Sequence, residues 1–204
     1  MKYVLALFAF MIYSPLALSA QWQENVHYTV LDAPQTDGKE VTEFFSFWCG
    51  ACYRTESMLP PLKKALSEDT TFKKVHVNFM GFTTPQTQNA ATQAMIIARL
   101  YKQEEAMQTA LFNAIHQQRK TISGLDDIKA VFVAAGMDAA DFDKGATSFA
   151  ANNLVKRNNR EVDTYSRYFK SVPTFVVNGR YQATIRRDMT PDDVVKLIVW
   201  LTNQ

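Results

Sequence analysis

The near-continuous apolar run from Val41 to Trp48 stops abruptly at Cys49-Gly50-Ala51-Cys52, and Tyr53-Arg54-Thr55-Glu56-Ser57-Met58-Leu59 follows with the composition of opening helical turns. A run of this kind suits a central strand covered on both faces. The junction therefore reads as strand, tight turn and helix, with Cys49 at or just before the helix N-terminus. Unpaired amides and the positive end of the helix dipole favour an anion there, so a thiol at that position tends toward thiolate. Cys52 lies three residues on, within reach of Cys49 to close a disulfide.

Four readings of the pair compete. A structural disulfide gains little, because closing a loop of about four residues removes only about 2 kcal/mol of unfolded-chain entropy. A zinc site needs roughly four ligands, whereas the chain has 2 cysteines and its 3 histidines, His27, His76 and His116, are scattered. Two unrelated buried thiols are a third reading. A redox-active dithiol opening a helix after a buried strand accounts for the spacing and its setting together.

Residues 1–19 have the layout of a secretory signal peptide: Lys2, an apolar segment from Tyr3 to Ile12, a break at Ser14-Pro15, and small residues at Ala17 and Ser19. A membrane anchor is the competing reading, but the apolar run is short for a span and is broken by Pro15. Export places both cysteines in a compartment where disulfides form and persist. The net charge of +2 gives no reason to expect a nucleic-acid partner.

A first strand is expected at His27–Leu31, then a loop from Ala33 to Lys39 before the Val41–Trp48 strand. Glu43 stands inside that strand, where a carboxylate costs several kcal/mol unless paired or protonated. It is either a strand-end salt bridge or a partly buried acid of raised pKa that exchanges protons with the inner thiol. Pro60-Pro61 predicts a kink in the following helix, with Leu62 and Leu66 continuing its buried face. Lys74–Phe79 alternates like a strand, with His76 in a structural role. From Thr83 to about Tyr168 the period is helical, with Ser123 as N-cap of a helix over Leu125–Ala135, Gly136 past its end, and further helices from Asp138 and about Ser148. Strand signals return at Val172–Val177 and Arg180–Ala183 around Asn178-Gly179, a hairpin turn pair. Thr190-Pro191-Asp192-Asp193 opens a last helix that buries Val194, Leu197, Ile198 and Leu201.

Glu43-Phe44-Phe45-Ser46-Phe47, the Cys49/Cys52 pair, His76-Val77-Asn78-Phe79-Met80-Gly81, Val172-Pro173 and Phe175–Tyr181 together resemble the thiol:disulfide oxidoreductases of the bacterial periplasm known as the DsbA family. The resemblance covers essentially the whole mature chain and implies an α/β thioredoxin fold with an inserted all-helical domain. The thioredoxin-like part would comprise residues 20–81 and 161–204, and the insertion residues 82–160. Cys49 would be the exposed nucleophile and Cys52 the buried partner that resolves the mixed disulfide. Pro173 would be cis, shaping with Val172 and Met80 the surface where an extended substrate docks. Glu43 and Lys74 would form a buried charged pair beneath the cysteines. The implied activity introduces disulfides into reduced exported proteins in the periplasm, with reoxidation by a quinone-linked membrane protein of DsbB type. The redox group is the Cys49–Cys52 disulfide, with no metal and no organic cofactor. A monomer is expected. Isomerases of this kind usually carry a dimerisation domain, for which the segment from Ala20 to Lys39 leaves no room.

One departure stands out. The family's usual dipeptide between the cysteines is Pro-His, and here it is Gly50-Ala51. A looser turn without a cationic partner predicts a higher Cys49 pKa and a weaker oxidant than a Pro-His relative. It also keeps a reductase or isomerase reading open, beside that of a non-catalytic chaperone or binding module.

Overall fold

The computed structural model describes residues 22–204, so the signal-peptide reading of residues 1–19 lies outside the described residues. The chain runs β1 (Tyr28–Val30), β2 (Glu40–Phe45), α1 (Gly50–Thr55), a 3-10 turn (Glu56–Met58), α2 (Leu59–Ala65) and β3 (Thr71–His76). Five helices follow: α3 (Pro85–Leu100), α4 (Glu104–His116), α5 (Leu125–Ala134), α6 (Ala139–Thr147) and α7 (Phe149–Tyr165). The chain then returns through β4 (Thr174–Val177), β5 (Tyr181–Ala183) and α8 (Pro191–Leu201). This is a thioredoxin fold with helices inserted between β3 and β4.

The sheet has the order β1-β5-β4-β2-β3. β2 pairs parallel with β3 and antiparallel with β4, which puts Glu43 opposite Lys74 on one side and Phe175 on the other. Both faces of β2 are covered. Val41, with Phe175 and Val177 of β4, packs against Leu59 and Leu62 of α2 and Val194, Leu197, Ile198 and Leu201 of α8. Phe44 and Phe45 join the second core, built with the inserted helices around Met95, Ile97, Leu111 and Phe112.

Local chemistry explains most of the boundaries. Thr84, Asp138 and Ser148 each accept an N–H in the first turn of α3, α6 and α7. Thr190 and Asp193 form a reciprocal capping box at α8. Asn178 and Gly179 both take positive φ, 51° and 70°, as a type I′ hairpin turn requires. Gly145 lets α6 approach α3, since a β-carbon there would lie 2.7 Å from Ile97 Cγ2.

Four expectations are corrected. β2 ends at Phe45 rather than Trp48, because Ser46 leaves the ladder to receive the N–H of Cys49 at 3.0 Å on its carbonyl. β3 spans Thr71–His76 rather than Lys74–Phe79, its register being set by Glu40 pairing with Thr71. Pro60-Pro61 does not kink a continuous helix. The 3-10 turn ends the first helix, and α2 starts afresh at Leu59 with its prolines in the first turn, where a missing N–H leaves nothing unpaired. The N-cap of α5 is Gly124, and Ser123 instead donates its N–H to the Asp127 carboxylate at 2.7 Å. Among the described residues no helix is long and apolar enough to cross a membrane.

Candidate active site

Cys49 is the N-cap of α1, in an extended conformation (φ −85°, ψ 110°), and its Sγ accepts the N–H of Cys52 at 3.2 Å. The same sulfur donates as a thiol to the carbonyl of Val172 at 3.2 Å. Val172 precedes Pro173 through a cis peptide bond. The chain thus brings residues 123 positions apart against one another, and the sulfur sits between a helix terminus and the loop entering β4. Both cysteines are free thiols. Cys52 is fully enclosed, as expected; Cys49 is less open than expected, with 5% of its surface exposed. Burial against the Val172 loop is the reason.

The two thiols are electrostatically unlike. Cys49 titrates at about 6, chiefly because the Cys52 thiol donates to its sulfur. Burial opposes this, while the amides of Cys52 and Ala51 and the charge of Arg54 act in the same direction as the thiol. Burial drives the Cys52 pKa well above the usual thiol range, and its role as donor to Cys49 adds to that. One proton is therefore held firmly by Cys52 while Cys49 ionises easily, which is the division of labour that thiol exchange needs.

Beneath the cysteines Glu43 is completely buried, 3.4 Å from the Lys74 ammonium. Neither carboxylate oxygen has a hydrogen-bond partner in the protein. Lys74 binds Glu56 more closely and lies 4.3 Å from the centre of the Phe45 ring. Burial raises the Glu43 pKa to about 7 despite Lys74. Glu43 is thus paired with Lys74, in mid-strand rather than at a strand end, and it is an acid of raised pKa, fully rather than partly buried. A cavity of about 550 Å³ lined by Glu56, Lys74, Lys73, Arg99 and Glu104 lies behind this cluster, and neither cysteine nor Pro173 lines it.

Met80 is half-buried against the apolar cluster that contains Cys49, Cys52 and Val172. His76 is structural. Its ring bonds the Thr92 hydroxyl at 2.9 Å, Asn158 clamps its backbone from both sides, and burial lowers its pKa to about 3. Sequence reasoning passed over His116. Its Nε2 lies 2.8 Å from the carbonyl of Phe47, two residues before Cys49, and its ring stacks on Tyr53 at 4.9 Å and 8°. No linear signal marks it, because 69 residues separate the partners. Among the described residues no group of three or more His, Cys, Asp and Glu side chains is placed to hold a metal.

Residues 40–194 match the family model of the DSBA-like thioredoxin domain. The thiol:disulfide interchange protein DsbA of Haemophilus influenzae is 35% identical over 184 residues, covering 88% of this chain and 85% of that protein. The disulfide oxidoreductase DsbA of Proteus mirabilis superposes with a TM-score of 0.76 at 29% identity, over 89% of this chain and 95% of the other. A Proteus mirabilis DsbA complex, with a TM-score of 0.77 at 28% identity, covers 90% of this chain and 97% of the other and holds a non-covalently bound peptide, PWATCDS. With the cysteine pair at a helix N-terminus, the Val172 carbonyl of a cis Val172-Pro173 bond against Cys49 and the match running through most of the sequence, the chain belongs to the DsbA family of thiol:disulfide oxidoreductases.

Proposed function

We propose that this protein introduces disulfides into reduced exported proteins in the periplasm, by exchange through Cys49 and Cys52. The observation that supports this most directly is the asymmetry of the pair: an easily ionised Cys49 at a helix cap beside a Cys52 that holds its proton.

In the oxidised protein a substrate thiolate attacks Cys49 Sγ. The Cys49–Cys52 bond breaks, a mixed disulfide forms, and Cys52 leaves with the electron pair and takes up a proton. The second substrate thiolate then attacks the substrate sulfur of the mixed disulfide. A substrate disulfide forms, and Cys49 leaves as a thiolate. Two electrons have passed from substrate to protein. Glu43 would supply and later accept the Cys52 proton, since its pKa of about 7 lets it do both near neutrality. Pro173 would press against an extended substrate, with Val172 and Met80 lining the place where it lies; the Proteus mirabilis relative that holds a non-covalently bound peptide supports an extended peptide as the kind of substrate. Reoxidation would fall to a quinone-linked membrane protein of DsbB type. No metal or organic cofactor enters these steps.

We assign residues 1–19 to a signal peptide, residues 20–81 and 161–204 to the thioredoxin-like domain, and residues 82–160 to the helical insertion, with α7 running on past residue 160 as a shared beam. The working unit would be a monomer.

The test is oxidative refolding of a reduced, unfolded protein whose activity depends on its disulfides, with the oxidised chain as sole oxidant. Recovery is expected with the native chain and should vanish with Cys49→Ser. Full recovery with Cys49→Ser would sink thiol catalysis.

A further inference from the structure

The dipeptide between the cysteines carries no charge, yet a cation stands over it. Arg54 lies one helical turn beyond Gly50, and its Nη1 rests 3.6 Å from where a β-carbon on Gly50 would be. Helical side chains lean toward the N-terminus of their helix, so position 54 naturally covers position 50. Because Gly50 has no side chain, that place is open.

Nothing else among the described residues holds the guanidinium there. The ion pairs of neighbouring cations are accounted for by other groups: Lys74 takes Glu43 and Glu56, Lys63 takes Glu105, and Arg99 takes Glu104. In Arg54 only the backbone carbonyl takes part in a side-chain hydrogen bond, from Ser57. Arg54 is exposed, and folding its charged head back toward the positive end of a helix is unfavourable in itself. An anion at the helix cap reverses that sign, and the residue capping α1 is Cys49.

We propose that Arg54 is the cationic partner of the Cys49 thiolate, standing in from the next helical turn for the charge that Gly50-Ala51 lacks. This rests on thiol exchange at Cys49. Arg54 is among the groups that lower the Cys49 pKa, and the effect is the one expected of a positive charge near a thiolate. By stabilising the thiolate, Arg54 favours the reduced pair and makes the disulfide more oxidising, and it makes Cys49 a better leaving group when substrate is released. An exposed charge acts through solvent, so its influence weakens as salt rises.

The test uses the mature reduced protein and the pH dependence of iodoacetamide alkylation at Cys49, with the equilibrium against glutathione measured beside it. Arg54→Gln is expected to raise the Cys49 pKa by about half a unit at low salt. That is roughly a threefold smaller thiolate fraction below the pKa, with a threefold shift of the glutathione equilibrium toward the disulfide. Arg54→Lys should restore part of both, and the gap should shrink in 1 M salt, where screening acts within about 3 Å. Far-UV circular dichroism confirms that each variant is folded. If Arg54→Gln matches the native pKa and equilibrium at low salt, or if the gap is undiminished in 1 M salt, the assignment is overturned. Neither result touches the proposed reaction, which stands or falls on Cys49→Ser.

Discussion

Glu43 couples the stability of this protein to pH in an unusual direction for a carboxylate. Its folded pKa of about 7 exceeds the ordinary value of 4.5, so the folded state binds its proton more tightly than the unfolded chain. The stabilisation is complete below pH 4.5 and is lost as pH rises through 7. Glu43→Gln, which stays neutral, should lack this dependence. Measured by denaturant unfolding at fixed redox state, the variant is expected to gain about 2 kcal/mol on the native protein between pH 5 and 8. Parallel profiles would show that Glu43 does not hold its proton as described. The acid was legible in the sequence, because a carboxylate within an apolar strand is conspicuous. Its second neighbour, Glu56, was not legible: Glu56 reads as one more polar helical residue until Lys74 is seen bridging the two.

At the scale of elements, short-range chemistry decided where helices begin and how the hairpin turns. The clearest case is Thr190, whose hydroxyl accepts the Asp193 N–H at 3.2 Å while the Asp193 carboxylate receives the Thr190 N–H at 2.9 Å. Thr190→Ala should cost about 1 kcal/mol, which for a chain of this size lowers the melting temperature by about 3 °C. Thr190→Ser should restore most of it; an unchanged melting temperature in the alanine variant would show that packing of α8 alone carries the helix. Where the expectations slipped, pairing had overridden pattern. The alternation at Lys74–Phe79 continues past the strand, but the ladder ends where β2 turns away at Ser46. Pro60-Pro61 reads as a flaw in one helix until the 3-10 turn shows two short helices meeting.

The whole molecule changes its stability with redox state, since only the reduced form carries a Cys49 thiolate. The folded pKa of about 6 lies below the ordinary thiol value of 9.0. The thiolate therefore stabilises the reduced fold in full above pH 9 and loses that effect as pH falls through 6. Glu43 is present in both redox forms and drops out of the difference. Reduced minus oxidised stability is expected to rise by about 1–2 kcal/mol between pH 6 and 8, read from paired unfolding curves. A flat difference would mean that Cys49 is not ionised within the fold. Local pattern was enough for the strand–cysteine–helix junction, the starts of α6 near Asp138 and α7 near Ser148, the cap of α8, the Asn178-Gly179 turn and the apolar face of α8. Each depends on backbone sterics and hydrogen bonds among residues a few positions apart. Tertiary structure alone decided that Val172 meets Cys49 across 123 residues, that His116 reaches Phe47 across 69, and that Cys49 is nearly covered. Those juxtapositions follow from how the sheet and the inserted helices pack together, which no local pattern encodes.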